Sequence, residues 1–199
     1  MDLIYACAIK FVAIKQCEYR FVVSKNRKTQ ELILNFSNSD FFHLAGLQHL
    51  TDINIPRNRK DILKNILIKN KITDSMLNKS RFYTHAEHNI KSRITLLCFL
   101  EQYLDTDNLI SIYNTKKMRY LNTNIKADYL IESKLKNTKD TVYMFIRKRK
   151  EQPNTYCIVS FFKKNDITYG GDALYWMIKE KIYPNTRITL YKHPDYIEK

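Results

Sequence analysis

Leu3, Ile4, Cys7, Ala8, Phe11 and Ile14 recur at helical spacing and predict a first helix that ends near Gln16. The pattern then changes to short apolar runs. Tyr19 to Val23 and Thr29 to Phe36, divided by the polar stretch Lys25-Asn26-Arg27-Lys28, predict a β-hairpin over about residues 18–36. Ser37-Asn38-Ser39-Asp40 is rich in capping residues, so the segment behind it is expected to open as a short helix. Thr51 to Ile55 reads as a connector, and Pro56 suits the first position of a helix running to about Lys71. Ile62, Leu63, Ile66 and Leu67 share one side of it, with Arg57, Lys60, Lys64 and Lys71 on an adjacent stripe. Thr73-Asp74 caps a helical turn through Leu77. A long helix from Ala86 to Leu104 is apolar almost all round between Ile94 and Leu100, which predicts a place at the centre of the core.

After Asp105 the character changes. Leu109–Tyr113, Ala127–Ser133, Val142–Arg147, Tyr156–Phe162 and Arg187–Lys192 are short runs rich in Ile, Val, Tyr and Phe, separated by polar stretches. Ala173 to Lys179 reads as a helical turn in the last connection. No repeat, low-complexity tract or linker interrupts the chain. The expected fold is α+β, because alternating βαβ units are absent. It is read as a single domain over residues 1–199, with a mainly helical half (1–105) and an antiparallel sheet half (106–193).

At 199 residues and 44% hydrophobic, with 13% aromatic, the chain can bury a real core and is not disordered. Its 34 basic and 20 acidic residues leave a net charge of +14, which favours a polyanionic partner: nucleic acid first, an anionic membrane second, an acidic protein third. Lys outnumbers Arg 24 to 10, a bias that an A/T-rich genome also produces, and Lys is the weaker choice for bidentate phosphate contacts. Cys7, Cys17, Cys98 and Cys157 form no C-x-x-C pair, so neither a zinc ribbon nor a redox motif is expected. The start Met1-Asp2-Leu3-Ile4 lacks the positive region of a secretory signal, and no window approaches ~18 uninterrupted apolar residues. A reduced, soluble, cytoplasmic protein without membrane contact is the expectation.

The candidate chemistry centres on Asp40-Phe41-Phe42-His43-Leu44-Ala45-Gly46-Leu47-Gln48-His49-Leu50, which holds two of the five histidines and one of only three glycines. Gly46 marks a place where the backbone needs freedom or close approach, and a histidine in an apolar run is either tied into the core or held for chemistry. There is no phosphate-binding glycine loop, no G-x-S-x-G elbow and no carboxylate cluster for Mg²⁺ or Zn²⁺, so no metal and no cofactor is expected. His85-x-x-His88 lacks a third ligand at a suggestive spacing. Metal-free RNA cleavage stays open, because RNA supplies its own nucleophile, the 2′-OH. The protein then needs a general acid, a general base and cations around the phosphate. His43 and His49 are candidates for proton transfer. Basic residues interleave with aromatics in the sheet half: Lys126 and Tyr129; Tyr143, Phe145 and Arg147; Tyr156, Ser160, Phe162 and Lys163; Tyr191 and Lys192. Such a surface stacks bases and binds phosphates, and the plain alternative is a core with a solvated basic rim. Arg147-Lys148-Arg149-Lys150 reads as a strand end or turn that can track phosphates. Arg93, beside the most apolar helix segment, is expected to be paired or to face a site.

The Asp40–Leu47 segment resembles the His-Leu-Thr/Ala-Gly signature of the fourth phage-associated branch of the barnase–EndoU–colicin E5/D–RelE-like (BECR) nucleases. Arg93-Ile94, Ala127-Asp128-Tyr129-Leu130-Ile131, Ser160-Phe161-Phe162 and Ile188-Thr189-Leu190-Tyr191-Lys192 extend the resemblance over most of residues 17–193. Ala45 stands where a Thr is often found. The resemblance implies a helix-plus-antiparallel-sheet fold, metal-independent RNA cleavage through a 2′,3′-cyclic phosphate, and an origin in phage or mobile elements. His43 matches the motif histidine, and Ser160 and Lys192 match polar positions on late strands. On this reading His43 is the general base or acid, Lys192 and Arg147 stabilise the phosphorane, and Ser160 or Tyr191 orients the phosphate. Arg57, Lys60, Lys64, Arg93, Lys126, Tyr129, Lys148, Arg149 and Lys163 contact the nucleic acid. RNA, tRNA included, is the expected partner, with an antitoxin or immunity protein as the protein partner. The competing expectations are a non-catalytic RNA- or DNA-binding module and a mobile-element protein that binds an acidic host protein.

Overall fold

The computed structural model describes residues 1–85, 89–114, 123–134, 141–150, 152, 154–164, 169 and 171–198. The chain forms two compact units: Met1–Lys15 with Phe36–Glu101, and Gln16–Asn35 with Gln102–Lys199.

The first unit is helical. Helix α1 (Leu3–Ile14) buries Ile4, Cys7, Ala8, Phe11 and Ile14, the stripe its spacing predicts. Its first turn is capped from a distance. The Asp74 carboxylate accepts from the Leu3 and Ile4 N–H groups, and the Asp2 carboxylate accepts in return from the Asp74 N–H. Phe11 meets Phe36 and Phe41 edge-on, with ring centroids 6.0 and 5.2 Å away. Helix α2 (Asn38–Leu44) opens on Ser37 with a capping box closed by Asp40. The helix expected from Pro56 to Lys71 is much shorter: a single 3-10 turn at Arg59–Asp61 leads into α3 (Ile62–Leu67). Asn58 explains the late start, because its side chain caps the Lys60 N–H; Asn70, with φ +47°, lies beyond the early end. Helix α4 (Asp74–Leu77) is capped by the Thr73 hydroxyl as expected. The helix predicted over 86–104 is two helices, α5 (Ile90–Leu97) and α6 (Leu100–Asp105), and its first three residues lie outside the described ones. Asn89 starts α5 in a left-handed conformation and caps the Ser92 N–H. The break follows where Phe99 N–H bonds to Leu96 O, tightening the last turn, while the Phe99 side chain turns outward, 39% exposed.

The second unit is built on one sheet. The hairpin β1 (Glu18–Lys25) and β2 (Lys28–Leu34) turns at Asn26-Arg27, both with positive φ (51° and 64°), as a two-residue type I′ turn requires. The later strands are β3 (Leu109–Tyr113), β4 (Tyr129–Lys134), β5 (Thr141–Lys148), β6 (Thr155–Lys164), β7 (Gly171–Tyr183) and β8 (Thr186–Lys192). Ala173–Lys179, expected as a helical turn, lies inside β7. Its run Leu174-Tyr175-Trp176-Met177-Ile178 is apolar at successive positions, so the sequence shows no alternation even though Tyr175 is 71% exposed; the strand pairs with β1, β3 and β8. The sheet runs β1-β2-β6-β5-β4-β3-β7-β8, and an extra β1–β7 pairing closes seven strands into a ring with β8 outside it. The sheet is mixed, not purely antiparallel: β2 and β6 pair in parallel at Ile33↔Thr155 and Leu34↔Tyr156.

Strand β5 is buried from Val142 through Ile146, so both of its faces are covered. On one face Tyr143 and Phe145 pack with Tyr113, Leu130 and Tyr169. Phe145 stacks on Phe162 at 5.5 Å and meets Tyr113 edge-on at 5.0 Å. Of the aromatic residues expected as a base-stacking surface, Tyr129, Tyr143, Phe145 and Tyr156 are buried, Phe162 is half-buried and Tyr191 is exposed. Tyr129, at 7% exposed, is the clearest correction. Burial, with the neighbouring Tyr156 as the next cause, pushes its hydroxyl up to about 12.

Candidate functional site

In the first unit the sequence Phe41–Leu50 folds into a tight arrangement around Gly46. Helix α2 ends at Ala45, and Gly46 takes a left-handed conformation with φ +75° before a 3-10 turn at Leu47–His49. The Gly46 N–H donates to the His43 carbonyl at 3.0 Å, and the His49 N–H donates to the Gly46 carbonyl at 3.1 Å. One turn thus carries both histidines, each half-buried. The Gln48 amide nitrogen lies 3.2 Å from His49 Nε2 and 3.5 Å from the His43 carbonyl. With the amide as donor, His49 Nε2 accepts and its Nδ1 carries the proton. Gln48 Oε1 is buried and has no hydrogen-bond partner among the described residues.

Arg93, on α5, is laid over this turn. A Cβ on Gly46 would meet Arg93 Cδ and Ile90 Cδ1 at 2.9 Å each, and Arg93 Nη1 at 3.7 Å. Glycine is the residue that leaves room for this stem. The guanidinium is half-buried, and burial lowers its pKa from the ordinary arginine value. Among the described residues no carboxylate pairs with it and no acceptor takes its hydrogen bonds.

The remaining predicted residues fall into two groups. Arg57, Lys60 and Lys64 are exposed before and on α3 in the first unit. In the second unit Lys126, Arg147, Lys148, Lys163 and Lys192 are exposed, and Tyr191 is 38% exposed. Arg149 is occupied: its Nε and Nη2 donate to Asn35 Oδ1 and to the Asn35 carbonyl at 2.7 and 2.9 Å. Half-buried Ser160 stands opposite Phe145 on β6, and Lys192 stands opposite Ile178 on β8. Between β6 and β8 lie β2, β1 and β7 along the shorter way round the ring. Ser160 and Lys192 therefore do not share a strand pair. Arg147 stands two residues beyond Phe145 on β5, past an irregularity in the β5–β6 register, and is exposed where Phe145 is buried.

Lys126 and Arg147 do come together. They line an open concavity of about 350 Å³ with Tyr113, Asn114 and Asp128. Sequence reading gave Asp128 no role, although its place between Lys126 and the start of β4 was a usable signal. Tyr113 and Gln48 carried no signal, since nothing in the sequence marks an unpartnered hydroxyl or amide. Two other perturbed groups lie in the second unit. Burial pushes the Glu132 carboxyl up, and it lowers Lys179, 3% exposed, to about 8. Lys179 Nζ donates to the Thr106 carbonyl at 2.6 Å and to Asn108 Oδ1 at 3.4 Å, a structural role.

Among the described residues no three His, Cys, Asp or Glu side chains gather as metal ligands, and no helix is long and apolar enough to cross a membrane. His88 of the His85-x-x-His88 pair lies outside the described residues. No curated protein and no solved structure matches the chain. One family model does, over residues 3–195. The match covers nearly the whole chain, and this protein belongs to the phage-Barnase-EndoU-ColicinE5/D-RelE like nuclease4 family.

Proposed function

We propose that this nuclease-family protein cleaves RNA without a metal, by attack of the 2′-OH on the adjacent phosphate. The observation that carries the reading is Arg93: a half-buried guanidinium, without an acidic partner among the described residues, laid across the turn that bears His43 and His49. The arginine supplies the charge that a phosphate needs and that a phosphorane needs more. An imidazole with its ordinary pKa near ~6.5 moves protons at neutral pH. On this reading His43 takes the 2′-OH proton or returns a proton to the 5′-oxygen, and Arg93 holds the phosphate oxygens. The exposed cations Arg57, Lys60, Lys64, Lys126, Arg147, Lys148, Lys163 and Lys192 bind the RNA backbone. Ser160 and Tyr191, on separate strands of the second unit, add hydrogen bonds to phosphates elsewhere along the RNA. The phage or mobile-element origin, the cytoplasmic location and an antitoxin or immunity partner belong to the same proposal.

The test uses one RNA oligonucleotide, the same oligonucleotide with every 2′-OH replaced by hydrogen, and EDTA throughout. Cleavage of the first alone, leaving a 2′,3′-cyclic phosphate, supports the reading. Cleavage of both, or cleavage that EDTA abolishes, overturns it. Tight binding without any cleavage points to a nucleic-acid-binding module.

A further inference from the structure

The sheet unit has an open concavity of about 350 Å³ beside β3, β4 and β5. Its frame is rigid. The Tyr113 N–H donates to the Asp128 carbonyl at 2.9 Å, and the Asp128 N–H donates to the Ile146 carbonyl at 2.8 Å. The Asp128 carboxylate accepts from the Lys148 N–H at 2.7 Å, which fixes its direction and leaves it acceptor capacity to spare. Lys126 and Arg147 are exposed, and among the described residues neither forms an ion pair, not even with Asp128. Tyr113 supplies an aromatic wall, seated edge-on against Phe145. Its hydroxyl is buried and has no hydrogen-bond partner among the described residues. Two unpaired cations, a fixed carboxylate and a tyrosine around a space of this size suit a ligand with an anionic end, a planar body and a donor group. A single nucleotide has all three.

We propose that this concavity is a nucleotide subsite, which takes one nucleotide of a single-stranded chain with its phosphate on Lys126 and Arg147 and its base amino group on Asp128. The proposal rests on the nuclease reading and deepens it by naming what selects the substrate. A carboxylate accepts hydrogen bonds from the exocyclic amines of adenine, cytosine and guanine. Uracil presents only carbonyl oxygens around its single N–H, so the site should disfavour it.

The experiment titrates the full chain with adenosine, cytidine, guanosine and uridine 5′-monophosphates and with inorganic phosphate, and follows backbone amide NMR signals. The expected result is that the amino-bearing nucleotides bind more tightly than uridine monophosphate and phosphate and move the signals of Tyr113, Asp128 and Lys148. Lys126→Ala and Arg147→Ala should each weaken binding about tenfold, the loss of one charge-assisted contact. Asp128→Asn keeps an acceptor for the Lys148 N–H and so keeps the fold; it should level the preference among bases. Equal affinity for phosphate and all nucleotides, or affinity that ignores the Lys126 and Arg147 variants, overturns the proposal. A monophosphate has no internucleotide bond to cut, so the two readings fail separately. Nucleotide binding with no RNA cleavage removes the ribonuclease reading; RNA cleavage with no nucleotide binding removes the subsite.

Discussion

Replacing Arg93 by Met separates a working arginine from a structural one, because the two predict opposite signs. A buried donor group without an acceptor costs about 1–3 kcal/mol. Arg93 is only half-buried, so the lower end applies. Met keeps an unbranched stem in the space above Gly46 and brings no charge to desolvate. Arg93→Met should therefore leave the protein as stable or more stable, by about 1 kcal/mol, or a shift of about 2–4 °C in a chain of this length. Cleavage should fall by about 10²–10³-fold, the usual effect of deleting one preorganised donor to a developing oxyanion. Thermal unfolding with and without ~50 mM phosphate completes the assay, since an anion bound by the native state alone raises the transition in proportion to its occupancy. Wild type should gain stability from phosphate, and Arg93→Met should gain less. A variant that melts lower than wild type, keeps its response to phosphate and keeps its cleavage rate would refute the argument: Arg93 would then be a packing residue with an acceptor outside the described residues.

His43→Ala should fold normally, by circular dichroism and melting, and lose about 10²–10⁴-fold in cleavage, the range of a lost general acid or base; a collapsed fold would make His43 structural. Gly46→Ala should cost about 1–2 kcal/mol for the left-handed backbone alone. Its new methyl group would also push Arg93 Cδ from 2.9 Å, so activity should fall with stability; an unchanged melting temperature would contradict the turn geometry. Lys179 gives a pH signature. Its native pKa is lowered to about 8, below the ordinary 10.5, so between these values the unfolded chain binds more protons and native stability rises with pH. Measured as the difference from Lys179→Met, which removes the contribution of other groups, wild type should gain up to ~3 kcal/mol across that window; a difference independent of pH would show that the amine is not desolvated.

Local signals made half of this fold legible. The α1 stripe, the Asn26-Arg27 turn, the Ser37–Asp40 box and the Thr73 cap depend on residues a few places apart, and each is where the pattern placed it. The failures are of two kinds. Asn58, Asn70 and Asn89 cap helices or sit in left-handed backbone beside them, and a single asparagine competes weakly in a long apolar window. β7 hides its period of two because apolar side chains stand on both faces from Leu174 to Ile178, the exposed Tyr175 included. The parallel β2–β6 contact and the β1–β7 closure join segments far apart in sequence, and no window shows such pairing. The site divides the same way. Gly46 is legible as a place of backbone freedom, and its φ is +75°, whereas the side chain that needs the space is Arg93, on a different helix.

On the proposed reading, that relation also sets Arg93 apart from the other cations. If RNA is the substrate, as proposed, a net charge of +14 spread over exposed lysines would gather it, but each hydrated ammonium acts through water and salt, and its loss changes affinity about equally for every sequence. Arg93 is different in kind. It is held in lower dielectric, where a charge acts on a phosphate several-fold more strongly than at the surface. The cost of its burial is met in the free protein by no acidic neighbour among the described residues. A family member built only to hold RNA has no need of that arrangement, because surface lysines suffice. The glycine that makes room for the arginine is the same glycine that turns the chain between the two histidines, so on the proposed reading charge and proton transfer share one backbone feature. Selection of the nucleotide can then reside elsewhere, in the fixed carboxylate of Asp128, without disturbing the chemistry at His43.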